Sequence, residues 1–309
     1  MGATMRRRVA VAPARVLSVL TDAFALVMLV VVLIVGIYAL WDSHQVYSGA
    51  SAAQWLPYRP IDGQTTSYDQ LVGINPEVVG WLNVYGTNID YPVCQSKTKA
   101  LKYVTADAFG EYSMSGSLFV ASHDDATFTK PRTIIYGHHM AREMMFGSID
   151  NFMDEGYLYA HEHGQLFANG RDWGLVMEGV IETEAHDQMI YGSYPEDVAE
   201  YGRALRERCA VARRDWDPGP NDRYVLMSTC SDETTEGRIV LVARLTNQKY
   251  INPFIKVPNY GTGVDDLMIG TFLGFSGNVW FCVAASTILS IVIFIDYVVI
   301  RRRKKRLAS

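Results

Sequence analysis

The sequence predicts a mostly β domain, closed as a barrel with a few peripheral helices and flanked by two transmembrane helices. Three observations predict it. Residues 23–41 and 267–295 carry no charge, and each run is long enough for a helix to cross about 30 Å of hydrocarbon. Basic residues cluster at the outer end of each run. Between the runs, short β-branched or aromatic stretches recur, bounded by Gly, Pro, Asn or Asp.

The first run is Val/Leu/Ile-rich over 26–40. The second holds Gly270, Gly274 and Gly277, which places its helix start near Asn278 and its end near Ile300. Arg6, Arg7, Arg8 and Arg15 precede the first run; Arg301, Arg302, Arg303, Lys304, Lys305 and Arg306 follow the second. Positive charge beside a span stays on the cytoplasmic side. Both termini are therefore expected inside the plasma membrane and 42–266 outside. A cleaved signal peptide is the alternative for the first run. Its basic n-region fits, but the run is long, and the nearest small-x-small site, Ala50-Ser51-Ala52, lies too far from the apolar core.

Residues 42–266 contain 18 Lys+Arg and 31 Asp+Glu, a net charge of −13. That argues against nucleic acid as a partner. Residues 42–66, with Pro57, Pro60 and Gly63, read as a stalk. A short helix is expected over 68–74, ended by Asn75-Pro76. Strands follow over 79–84, 89–93, 117–120 and 133–136, then one or two short helices over 145–159 and a long strand over 175–183. Residues 195–213 read as a helix: Pro195 suits a first turn, Glu196 and Asp197 suit the N-terminal dipole, and Val198, Tyr201, Leu205 and Cys209 recur at helical spacing. The run 215–221 (DWDPGPN) breaks it, and two apolar strands, 224–228 and 239–245, close the domain. Short strands with turn signals at this spacing predict a closed barrel.

Cys282 lies inside the second run and reads as a small buried apolar residue. Cys94, Cys209 and Cys230 are external, so in a compartment that permits disulfides at least one thiol stays free. Their spacing fits no metal pattern. Cys230 follows the strand YVLMS among Ser228, Thr229, Ser231 and Asp232, a polar strand-end setting unlike that of a core thiol. A nucleophilic thiol needs an imidazole partner, and IIYGHHM supplies His138 and His139 after another apolar strand. Alone, such a pair reads as a solvated turn. Arg238 starts the strand after Cys230, and a hairpin would bring it beside the thiol, where a guanidinium can hold a developing oxyanion. Arg244 has the same strand parity but lies about 20 Å farther along.

These segments together resemble the sortase family, class B in particular. The resemblance rests on NPEVVGWLNVYGTNIDYPV, GSLFV, IIYGHHM with MMFGSI, YVLMSTCS and GRIVLVARL, and covers 71–245. It implies a sortase-type barrel. It implies His138 rather than His139, and Arg238 rather than Arg244, as catalytic partners of Cys230, with Ser228 and Thr229 at the substrate. The apolar runs and their basic flanks, taken with the resemblance for the central part, give the expected domain plan: a basic cytoplasmic segment 1–22, a span 23–41, a stalk 42–66, the catalytic domain 67–250, a linker 251–270, a second span 271–300 and a basic tail 301–309. The implied reaction is transpeptidation. The thiolate cleaves the C-terminal sorting signal of a surface protein through a thioacyl-enzyme, and an amine of a cell-wall precursor or a pilin lysine accepts the acyl group. No metal or organic cofactor is implied.

The chain departs from that pattern in three ways. The second span resembles the arrangement of class C enzymes, no Asp-Pro-aromatic lid precedes the domain, and Cys94 stands where the family has an aliphatic residue. The rival readings are a membrane-anchored cysteine hydrolase using the same residues, and a non-catalytic peptide-binding barrel of the envelope.

Overall fold

In a computed structural model of the protein, residues 3–61, 65–230 and 237–254 are described. The expectations for 271–300, the tail 301–309 and Cys282 lie outside the described residues.

Helix α1 spans Ala3–Ala50. Within it, Leu17–Ala50 is long and apolar enough to cross a membrane, the one such helix among the described residues. Most of its apolar side chains from Leu17 to Trp41 are exposed. The helix runs nine residues past the expected span, because nothing between Trp41 and Ser48 breaks a helix. Ser51 stops it: extended at φ −69°, ψ 127°, it turns its hydroxyl to accept from the amide of Ala53 at 3.3 Å.

The segment read as a stalk lies against the folded domain. Ala50 and Trp55 are buried, Trp55 packs on Phe109 at 4.8 Å, and Arg59 pairs with Asp90 at 3.0 Å. Helix α2 (Thr66–Ile74) then leads into the barrel.

Nine strands follow: β1 Val78–Val84, β2 Asp90–Cys94, β3 Leu118–Val120, β4 Arg132–Tyr136, β5 His163–Ala168, β6 Arg171–Glu184, β7 Val211–Ala212, β8 Tyr224–Cys230 and β9 Gly237–Thr246. They hydrogen-bond in the order β5-β1-β2-β3-β4-β8-β9-β6-β7, and β5 also pairs with β6. Eight strands thus close a barrel, and β7 adds to the free part of the β6 edge at Gly179 and Val180. Closure removes the exposed strand edges that an open sheet would carry. The β2–β3 and β4–β8 pairs are parallel.

Strand β5 is absent from the sequence reading, yet it is the strand that closes the barrel. Asn169 and Gly170, at φ 53° and 69°, join it to β6 as a two-residue hairpin. Helix α3 (Glu155–Ala160) follows a 3-10 turn at Gly147–Met153. The helix expected over 195–213 is shorter. A single turn, α4 (Gln188–Tyr191), comes first; α5 covers Val198–Arg208, with Asp197 capping the amide of Glu200 at 2.9 Å. At Cys209 the chain becomes extended to form β7.

Strand alternation divides the core. Val225, Met227, Leu241, Ala243 and Ile135 fill the barrel interior with Leu82 and Phe152. Ile134, Leu226, Val240 and Val242 pack outside it, beneath Tyr201, Leu205 and Trp216. Both faces of β8 and β9 are covered, which explains why these strands read as unbroken apolar runs. Cys94 is fully buried opposite Phe119 in the β2–β3 pair, and burial pushes its thiol well above the ordinary range.

Candidate active site

Strands β4, β8 and β9 are neighbours, and their ends carry the three candidate residues. Beside parallel β4, Tyr136 pairs with Ser228, and the amide of Gly137 donates to the Ser228 carbonyl at 3.2 Å. His138 lies two residues past Tyr136, and Cys230 two residues past Ser228. Across the antiparallel pair, Cys230 is directly opposite Arg238. Positions 138, 230 and 238 thus come to one end of three adjacent strands.

Arg244 pairs with Tyr224 at the other end of the same hairpin. Its Nε donates at 2.7 Å to Glu178, a carboxylate that is 1% exposed. It is committed to the barrel wall and cannot reach the strand ends.

The two histidines separate as clearly. His139 Nε2 meets Asp150 Oδ2 at 2.6 Å, and only 13% of its side chain is exposed. His138 Nε2 lies 2.9 Å from the Val104 carbonyl. A carbonyl only accepts, so Nε2 carries a proton there, which leaves Nδ1 for exchange. Gly137 lets His138 sit close to the barrel. A Cβ at 137 would stand 2.5 Å from Leu118 Cδ2 and 2.7 Å from Phe146 Cδ2. Any larger residue at 137 would have to displace these two side chains.

Ser228 and Thr229 are both buried. Ser228 Oγ shares a hydrogen bond with the Tyr191 hydroxyl at 2.8 Å, while Thr229 Oγ1 is buried without a partner among the described residues. The sequence reading passed over Tyr136, Tyr191 and Phe119. Tyr136 stacks on Phe119 at 5.4 Å and lies beside Tyr191 at 6.3 Å, forming an aromatic wall outside β4 and β8. Burial pushes the Tyr136 hydroxyl up to about 12; Tyr191 and Asp124 add to the shift, and Arg132 and Arg238 oppose it. Periodicity marked Tyr136 only as part of a strand.

Among the described residues, no group of three or more His, Cys, Asp or Glu is placed to hold a metal ion. Cys209 is a free, partly buried thiol, and burial pushes it up to about 12, a value suited to packing rather than attack.

No family model matches the chain. Sortase B of Staphylococcus aureus is 30% identical over 183 residues, covering 58% of this chain and 74% of the relative. The structure of a Staphylococcus aureus sortase B–substrate complex is similar with a TM-score of 0.53 at 26% identity, covering 58% of this chain and 84% of that one. A Streptococcus pyogenes class B sortase involved in pilus biogenesis gives a TM-score of 0.53 at 31% identity, covering 58% and 98%. The chain belongs to the sortase family, class B, and is a cysteine transpeptidase.

Proposed function

We propose that Cys230, His138 and Arg238 carry the acyl transfer, and that the donor is the C-terminal sorting signal of a surface protein. The observation that supports this most is the register that brings Tyr136–Gly137–His138, Ser228–Cys230 and Arg238 to adjacent strand ends. In the first half-reaction the Cys230 thiolate attacks the scissile carbonyl carbon. A C–S bond forms as the C–N bond breaks, and His138 delivers a proton to the leaving amine. In the second, an incoming amine attacks the thioester, His138 takes its proton, and the thiolate leaves. Arg238 holds the oxyanion in both steps, presenting a planar pair of donors from a rigid strand. The Phe119–Tyr136–Tyr191 wall supplies an apolar side for the peptide, with Ser228 fixing Tyr191.

The acceptor is an amine of a cell-wall precursor or of a pilin. The role of the Streptococcus pyogenes relative in pilus biogenesis supports the pilin as one candidate. The catalytic domain, 67–250, sits outside the plasma membrane between spans at 23–41 and 271–300, with the basic segments 1–22 and 301–309 in the cytoplasm. The stalk 42–66 and the linker 251–270 join it to the spans.

The full chain, incubated with sorting-signal peptides with and without an added amine, tests the reading. The expected result is a Cys230-linked acyl-enzyme that the amine discharges into a new amide. Thioester formation by Cys230→Ala overturns the assignment, and discharge to water alone, with amine present, makes the protein a hydrolase.

A further inference from the structure

The loop that carries His138 is held from behind by the last turn of α1. The loop runs from Gly137 to Phe146, where the Phe146 amide donates back to the His138 carbonyl at 3.0 Å. Three of its non-glycine residues are left-handed: Arg142, Glu143 and Met145, at φ 61°, 57° and 52°. Each such residue costs energy and persists only where the surroundings fix it. Asn88 donates to the Arg142 carbonyl at 3.4 Å and Asn151 to the Glu143 carboxylate at 3.0 Å, and two further contacts tie the loop to α1. The Tyr91 hydroxyl, on a side chain 2% exposed, accepts from the Met145 amide at 3.1 Å and donates to the Ala50 carbonyl at 2.9 Å. The Arg142 guanidinium lies 4.5 Å over the ring of Tyr47, one turn earlier on α1.

Ala50 is the last residue of α1, and its carbonyl has no helical partner to accept from. A buried orphan carbonyl needs a donor, and Tyr91 supplies one while using its own lone pair on the histidine loop. A single hydroxyl therefore joins the end of the apolar helix to the strained turn that sets the position of His138.

We propose that the end of α1 is a positioning element for His138, acting through Tyr91 and through the Tyr47–Arg142 contact. The inference rests on the reading of His138 as the proton-transfer group. It makes the end of the anchor helix part of the catalytic apparatus, so that the anchor does more than tether the domain.

The test uses the full chain in detergent micelles, measuring acyl transfer from a sorting-signal peptide to an amine across pH. Tyr91→Phe keeps the ring and deletes the bridge. Its kcat is expected to fall at least tenfold, with KM within twofold and the pH profile displaced, since small misplacements of a catalytic group cost roughly ten- to hundredfold. Arg142→Ala and Tyr47→Ala should show the same pattern more weakly, while Arg142→Lys and Tyr47→Phe, which keep a cation over a ring, should restore kcat to within about threefold of the starting protein. His138→Ala separates the two claims. If it retains activity, the reading of His138 fails and the inference falls with it. If it is inactive while Tyr91→Phe, Arg142→Ala and Tyr47→Ala keep the original kcat and pH profile, the inference alone is overturned. A loss of thermal stability with an unmoved pH profile also overturns it, because the contacts then only hold the fold together.

Discussion

Cys230 on β8 and Arg238 on β9 face each other across one rung of an antiparallel ladder. The ladder fixes their backbone separation to within the tolerance of a sheet, so what Arg238 can reach depends on its side chain alone. An ammonium on a lysine stem places one point charge where arginine presents a planar fork. Arg238→Lys is expected to lower kcat/KM by about 10²- to 10³-fold, the usual cost of losing one oxyanion donor, with thermal stability unchanged. Activity within about fivefold of the original would mean that charge alone is needed there.

His138 and His139 make different hydrogen bonds, and the difference predicts their phenotypes. The Asp150 carboxylate holds His139, whereas His138 touches a carbonyl that leaves its other ring nitrogen for proton exchange. His138→Ala is expected to cost at least about 10²-fold in acyl transfer, and His139→Ala less than about fivefold. The reverse order, in the same peptide assay, would reassign the proton-transfer role.

The sequence carried the parts of the site that are local. The STC strand end, the Gly-His pair and the arginine that opens β9 are contiguous with apolar strands, and strand ends can be found by periodicity. Arg238 and Arg244 share parity, so only separation along β9 favoured one; the Glu178 contact of Arg244 joins β6 to β9, strands separated by more than 50 residues, and no spacing shows it. Strand β5 escaped because HGQLFA has only three apolar residues, all in its second half after His163, Gly164 and Gln165, although the Asn169-Gly170 turn was a hairpin signal in plain view. The packing of 50–59 was hidden for the same reason as the aromatic wall: Trp55, Phe109, Phe119 and Tyr191 meet across the chain rather than along it.

The Glu178–Arg244 pair predicts a stability effect with no direct effect on chemistry. Burial, the largest influence, raises the Glu178 carboxyl above its ordinary 4.5, and Arg244 pulls it back in part. A carboxyl raised in the folded state holds its proton there more tightly than in the unfolded chain. The folded state therefore loses stability as pH climbs from the unfolded value through the raised one. Arg244→Ala leaves the buried carboxylate unpaired and is expected to cost about 3 kcal/mol at neutral pH, less at pH 4 where Glu178 is protonated. Glu178→Gln in the same background should flatten that pH dependence. Denaturant melts at pH 4 and pH 7 check it; equal losses at both would show that packing, not charge, is responsible.

Topology gives a prediction that depends on charge rather than on the fold. Ten Lys and Arg stand at the outer ends of two uncharged runs, while the inner ends are marked by Asp42 and by Asp265 and Asp266, with no basic cluster. Inserting either run the other way would carry a basic cluster across the membrane. It would also forfeit the attraction of the tail to the anionic inner leaflet, about 1 kcal/mol for each Lys or Arg near the surface. Single cysteines introduced in a Cys230→Ala background report each side. Thr66→Cys, at an exposed position that opens α2, is expected to react with a membrane-impermeant thiol reagent in whole cells. Ser309→Cys is expected to react only after the cells are opened. Labelling at position 309 in intact cells would show that the second run does not span, leaving α1 as the anchor and placing the basic tail outside with the catalytic domain.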